Sequence, residues 1–441
     1  MIEKSDLKRY SKTREECKQF VSPHAQSLVK ECHDILDGIA DSTVDEIDDT
    51  STNELETILC ILRNVFAFDT VLEPLAWEDK GLVGALQRIV DVYFDISVIA
   101  VSTTKLRRAV SRVIANATTS SREWCRSLYQ SLFPTRYLYL ACTDSSDIGD
   151  ALALSLYNIC MADGGNDGII DSFVGSNGCL VLSMLLQTEA HYGENDSLSF
   201  LLSHLCFQTN RLEILFTSLT ESSEMMTHHP VRWLNSNHAY LVAKLGSDAS
   251  LPHCQQESSG DALVFIHNLI VKIVSEESQY NECTNDVLRN CIHLWRDVLS
   301  QQEESSCSSQ IFLQHNMVTD YVSMLKALQT DDSSRFVHKQ PYKGYKGDIL
   351  SVLANASFRA GAIQQCLLDQ GALYPILGCA RGDPDAPLSR EWALWTIRNL
   401  CECSAEARAS IESLERQSPG SADGGEYQVT RGPKGFTIKM K

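Results

Sequence analysis

The chain has 441 residues, is 44% hydrophobic and 22% charged, and carries a formal net charge of −19. That charge argues against a nucleic-acid binder, whose affinity rests on neutralising phosphates, and against docking on anionic membranes. No apolar run is long enough to cross a bilayer, and Met1-Ile2-Glu3-Lys4-Ser5-Asp6 carries no apolar signal, so a cytoplasmic location is expected.

Residues 1–50 show helical periodicity that ends in an acidic stretch, Asp41 to Asp49, read as an exposed loop. Residues 53–328 read as stacked helices. A short pattern, apolar-x-Asn-apolar, recurs through them: Ile61-Leu62-Arg63-Asn64-Val65, Val113-Ile114-Ala115-Asn116-Ala117 and Ser155-Leu156-Tyr157-Asn158-Ile159. Leu202-Ser203-His204-Leu205-Cys206 follows with His in the Asn place, then Phe265-Ile266-His267-Asn268-Leu269 and Val352-Leu353-Ala354-Asn355-Ala356. The intervals are 52, 42 and 46 residues from Asn64 to His204, 87 from Asn268 to Asn355 and 44 from Asn355 to Asn399. Armadillo and HEAT repeats run about 40–47 residues, and one repeat cannot bury its apolar face alone. Glycine before an apolar run, at Gly81, Gly178 and Gly371, suits a turn between helices because glycine adopts positive φ freely. The fold class is therefore all-α, an armadillo- or HEAT-like right-handed α-solenoid.

A polar linker at 329–343 separates this block from two clear repeats at 344–415. In the second of them, Arg390 to Leu400 reads as an amphipathic helix with Leu394, Ile397, Leu400 and Cys401 on one apolar stripe. Trp395 and Asn399 lie four apart and project together from another face. Trp392, Trp395, Arg398 and Asn399 are the candidate protein contacts, with Trp395 and Asn399 expected on an accessible surface. Residues 416–441 read as a flexible basic tail in which Tyr427 and Val429, then Phe436, Ile438 and Met440, alternate as a short β-hairpin.

The sixteen cysteines sit mostly inside the helical pattern, as at Cys60, Cys160, Cys206, Cys291, Cys366 and Cys401, and read as small buried hydrophobes. Cys401-Glu402-Cys403, Cys32-His33 and His253-Cys254 lack the paired spacing of a zinc site. His228-His229-Pro230 reads as a helix-terminating loop. No dinucleotide fingerprint, P-loop or nucleophile elbow occurs. No catalytic residue, cofactor or metal is expected.

The C-terminal block carries a resemblance. Tyr345-Lys346-Gly347-Asp348-Ile349-Leu350-Ser351-Val352-Leu353-Ala354-Asn355 resembles the opening helix of the C-terminal domain of ataxin-10 proteins. Gln364-Gln365-Cys366-Leu367, Gly371 to Leu377, Asp383-Pro384, Leu388-Ser389-Arg390-Glu391-Trp392-Ala393 and Ile397-Arg398-Asn399-Leu400 resemble further motifs of that domain, from about Gly344 to Lys441. The loop Asp383-Pro384-Asp385-Ala386-Pro387 departs from the family's acidic signature. The resemblance implies a non-enzymatic armadillo-like scaffold with protein partners, self-association and links to cytokinesis and cell survival. The rival reading is an importin-type peptide carrier, in which Trp and Asn four apart on successive repeats grip an extended peptide. Only Asn399 has Trp in that place; Cys60, Arg112, Leu154, Val264 and Ser351 occupy it elsewhere.

Overall fold

A computed structural model describes residues 55–60, 62–63, 66, 82–93, 103–142, 145–162, 166–192, 196–221, 234–247, 257–276, 281–301, 306–329, 336, 339–380, 383–416, 427–432 and 435–440. The acidic segment 1–50, Asn64, Gly81, the loop at His228 and most of the linker at 329–343 lie outside them. The chain divides into two compact units, Met1–Glu224 and Met225–Lys441.

In the first unit the described helices are α1 (Leu82–Tyr93), α2 (Thr103–Ser120), α3 (Arg122–Leu132), α4 (Thr135–Ala141), α5 (Ser146–Ala162), α6 (Asp167–Val174), α7 (Ser176–Tyr192), α8 (Asp196–Ser203) and α9 (Leu212–Glu221). A π-helical turn, His204–Gln208, extends α8. Long helices recur one repeat apart and stack side by side, α2 on α5 and α5 on α8. Their shared core is built from Val110, Val113, Ile114, Leu152, Leu156, Ile159, Leu198, Leu201 and Leu202, each fully or almost fully buried. Burying one such side chain contributes about 1.5–3 kcal/mol, so the stack rests chiefly on this apolar column.

In the second unit follow α10 (Ser236–Leu245), α11 (Gly260–Ser275), α12 (Glu282–Ser300), α13 (Cys307–Gln314), α14 (Met317–Ala327), α15 (Tyr345–Ser357), α16 (Gly361–Asp369), α17 (Leu373–Cys379), α18 (Ser389–Cys403) and α19 (Ala405–Arg416). Here α10 packs on α12, α12 on α15 and α15 on α18. Side-chain caps fix where helices start: Asn235 caps α10 in a reciprocal box with His238, and Asn281 accepts from the Thr284 amide at 2.8 Å. Strands β1 (Tyr427–Gly432) and β2 (Gly435–Met440) pair antiparallel, with Tyr427 opposite Met440.

Two glycines play different parts. Gly371 has φ +63° and joins α16 to α17, with its amide donating to the Leu368 carbonyl at 2.9 Å, the left-handed turn expected of it. Gly178 is not a turn residue. It lies inside α7, where a Cβ would stand 2.2 Å from the Ser172 carbonyl oxygen, so its role is close approach of α7 to the end of α6.

Candidate interaction face and the asparagine row

The buried face of α18 consists of Ser389, Ala393, Thr396, Asn399 and Leu400. The stripe read from the sequence is corrected here: Leu394 is 43% exposed, and Ile397 and Cys401 are half-buried. The cause is the small-residue seam between α15 and α18. Ser351, Ala354 and Ser357 of α15 are buried, as are Ala393 and Thr396 of α18. Small side chains set a short interaxial distance, and the larger apolar groups are turned outward.

That close approach brings the Asn399 side chain, only 2% exposed, onto α15. Its Nδ2 donates to the Ala354 carbonyl at 2.9 Å and to Ser357 Oγ at 3.1 Å. Ala354 is among the last four residues of α15, whose carbonyls lack an intrahelical backbone partner, so the amide joins Ser357 Oγ in satisfying it. Asn399 is thus removed from the candidate contacts, although it lies four residues from an exposed Trp.

The same bridge recurs along both units. Asn116 donates to the Arg63 carbonyl at 2.7 Å, Asn158 to Thr119 Oγ1 at 2.9 Å, and Asn355 to the Arg296 carbonyl at 2.9 Å. Asn268 does not belong to the row; it is exposed on α11. The rung of that repeat is Asn290 on α12, which donates to the Ala239 carbonyl at 2.9 Å. Val287-Leu288-Arg289-Asn290-Cys291 repeats the Leu62-Arg63-Asn64 pattern and was the available signal. His204 is buried in the Asn place, and its Nδ1 pairs within its own helix, with Gln208 Oε1 at 2.7 Å.

The outward face of α18 is different in character. Trp395 is 48% exposed and Trp392 is half-buried. The Arg398 guanidinium lies 5.8 Å from the Trp395 ring centroid and pairs with Glu402 at 2.8 Å. Leu388 and Leu394 extend the apolar surface along the same segment, and Tyr374 of α17 is exposed. Below this face the altered loop is pinned: Lys346 pairs with Asp383, and the Gly344 amide donates to the Asp385 carbonyl at 2.7 Å. The Lys346 ammonium hydrogen-bonded to Asp383 holds that carboxyl below the usual range. Asp348 accepts from Tyr342 Oη at 2.9 Å and faces His293 Nε2 at 3.2 Å, which ties α15 to α12. Among the described residues no group of three His, Cys, Asp or Glu side chains is placed to hold a metal ion. None of their helices is by itself long and apolar enough to cross a membrane.

Within each unit, side-by-side helices joined through a repeated side-chain bridge define the class of stacked helical-repeat proteins. Residues 345–425 match the family model described as the spinocerebellar ataxia type 10 protein domain. An ataxin-10 homolog of Dictyostelium discoideum is 34% identical over 104 residues, 22% of this chain and 17% of that relative. The match therefore spans about a sixth of the curated relative. The resemblance to ataxin-10 proteins holds for the C-terminal segment; the matched domain stops at 425, so β1 and β2 lie beyond it and draw no support from it. Among solved structures, a designed armadillo repeat protein for modular peptide recognition aligns over 71% of this chain and 99% of its own, at 14% identity and a TM-score of 0.30. An engineered protein aligns over 90% of this chain and 99% of its own, also at 14% identity and 0.30. Scores of that size add nothing to the fold argument, which rests on the stacking inside each unit.

Proposed function

We propose that this chain is a non-enzymatic armadillo-like scaffold, stacked right-handedly within each unit, that binds a protein partner through the outward face of α18. Trp392, Trp395 and Arg398 form the contact. The observation that carries the reading is the exposed Trp395 with Arg398 beside its ring, on a helix whose opposite face is fully packed. Trp and Arg are over-represented among residues that dominate interface energies. Self-association through this face, a cytoplasmic setting and a part in cytokinesis or cell survival are the finer content that the ataxin-10 resemblance suggests.

The importin-type carrier is disfavoured by a specific observation. Gripping an extended peptide needs free asparagine amides along the groove, and the amides of Asn116, Asn158, Asn290, Asn355 and Asn399 are committed to neighbouring helices. The test is affinity purification with light scattering on the full chain, comparing the parent with Trp395→Ala and Arg398→Glu. Loss of a truncated aromatic anchor costs on the order of 2 kcal/mol or more, about thirtyfold in affinity. Unchanged partners and unchanged mass in both variants would sink the assignment of this face.

A further inference from the structure

We propose that the α5–α8 face of the first unit is a second docking site, for a peptide segment of a partner protein that presents one large apolar side chain beside a basic one. It rests on different residues, in a different unit, from the α18 face. Leu154, Tyr157 and Met161 lie three and four apart on α5 and so share one side of it. Phe200 stands on the adjacent α8, its ring centroid 6.3 Å from that of Tyr157. Met161 is 47% and Phe200 42% exposed; Leu180, Tyr192 and Ile214 are also exposed in this unit, and what distinguishes Met161 and Phe200 is that they flank Tyr157 on adjacent helices.

The patch has a built floor. The His204 ring meets Tyr157 edge-on at 6.2 Å and is itself fixed by Gln208. His204 opens the π-helical turn that extends α8, an irregularity frequent at functional sites. A large apolar side chain laid between Tyr157, Met161 and Phe200 gains ring contacts on two sides and a flexible thioether on the third.

Charge selects the rest of the occupant. Asp196 is exposed one turn before Phe200, and Asp150 is half-buried one turn before Leu154; neither has a partner among the described residues. The nearby Asp147 is already neutralised by Arg108 at 2.6 Å and Arg112 at 3.0 Å. Asp196 also complements the first turn of its helix, but Asp150 lies past the first turn of α5, where the helix dipole gives it no such role. Two free carboxylates beside an aromatic patch favour a basic residue and repel anionic lipid. The patch is confined to four side chains on two adjacent helices, whereas a stable interface takes about 20–30 residues a side, which fits a short segment better than a second copy of the chain. Because the Asn116 and Asn158 amides are committed internally, recognition runs through side chains and not through the peptide backbone.

The experiment uses the full chain and two fluorescein-labelled peptides, one with a central Leu-Phe followed by Arg-Lys and one with Glu-Glu in place of Arg-Lys. Fluorescence anisotropy is expected to show the basic peptide binding at least about tenfold more tightly, with the preference shrinking at high salt. Phe200→Ala and Met161→Ser each weaken it several-fold, Asp150→Lys abolishes the charge preference, and Trp395→Ala leaves it unchanged. Circular dichroism confirms folding of each variant, and Met161→Ser and Asp150→Lys carry the test if Phe200→Ala unfolds. Absence of binding, equal binding of the two peptides, or affinity indifferent to Met161 and Phe200 overturns the proposal. A mass doubling in light scattering that Phe200→Ala abolishes also overturns it, in favour of a second copy. A Trp395→Ala effect on interactions without one here bears only on the α18 face.

Discussion

Replacing Asn399 by Ala separates a structural asparagine from a contact asparagine. The side chain is 2% exposed and makes two hydrogen bonds, at 2.9 Å to the Ala354 carbonyl and 3.1 Å to Ser357 Oγ. Each contributes about 1 kcal/mol net. The Ala354 carbonyl keeps a bond from Ser357 Oγ at 3.1 Å, so the substitution does not leave it orphaned. The small void left by the carboxamide adds to the loss, for a total of about 2–3 kcal/mol. At roughly 2–4 °C per kcal/mol for a unit of this size, the melting temperature of the second unit falls by about 4–12 °C. Asn399→Asp falls further, because it removes both donors and sets a carboxylate against a carbonyl. Thermal unfolding by circular dichroism gives the shift, and hydrogen exchange at the end of α15 locates it. A shift within about 1 °C for the Ala variant, with partner binding lost, would refute the structural assignment and return Asn399 to the contact face.

Trp395→Ala should behave in the opposite way: half-exposed in the parent, it costs under about 1 kcal/mol of stability while removing partner retention in a pull-down. Gly178→Ala gains about 1 kcal/mol of helix propensity but drives a methyl to 2.2 Å from the Ser172 carbonyl, so urea unfolding should show a net loss of about 2 kcal/mol or more. Asp383 has a folded pKa held below its unfolded value by Lys346, so its contribution is present above about pH 4 and is lost as pH falls through the lowered folded value. The melting-temperature difference between the parent and Asp383→Asn should therefore close on acidification, and a difference constant down to about pH 2 would contradict the pairing. Among the described cysteines, native iodoacetamide labelling followed by mass spectrometry should modify exposed Cys403 first and spare Cys160, Cys206 and Cys291, whose thiols burial pushes up.

The stacked helices were legible because apolar residues at three- and four-residue spacing and an Asn or His recurring at intervals of 42 to 52 residues in the first unit and 44 at the end of the second can both be read directly from the sequence. The misreadings arise where packing distance, invisible in a periodicity, decides the outcome. On α18 the seam with α15 admits Ala393 and Thr396 and turns Leu394 and Trp395 out, so a stripe chosen by hydrophobicity picks the wrong residues. Asn268 and Asn290 both stand two residues after an apolar one, Ile266 and Leu288, and only contact with α10 shows which is the rung. The rung-to-rung interval there reaches 65 residues, from Asn290 to Asn355, because the connection from α14, which ends at Ala327, to α15, which starts at Tyr345, is longer than those before α5 and α18. Gly178 and Gly371 likewise share a sequence setting, while only Gly371 takes up positive φ.

The residue four before each rung shows why the proposed contact sites are few. That place is buried at Ser351, ion-paired at Arg112 and half-buried at Leu154 and Asp286. It is a large, exposed aromatic at Phe200 before His204 and at Trp395 before Asn399, one in each unit. The row itself is held by asparagine bridges that point into neighbouring helices, so where the residue one turn earlier faces outward, as at Phe200 and Trp395, it can vary without loosening the stack, whereas Ser351 is held in the seam. On the proposed function, such a scaffold would gain or lose a partner by exchanging single outward side chains, with stability and specificity on different faces of the same helix. Trp395 and Asn399, four residues apart, embody that division.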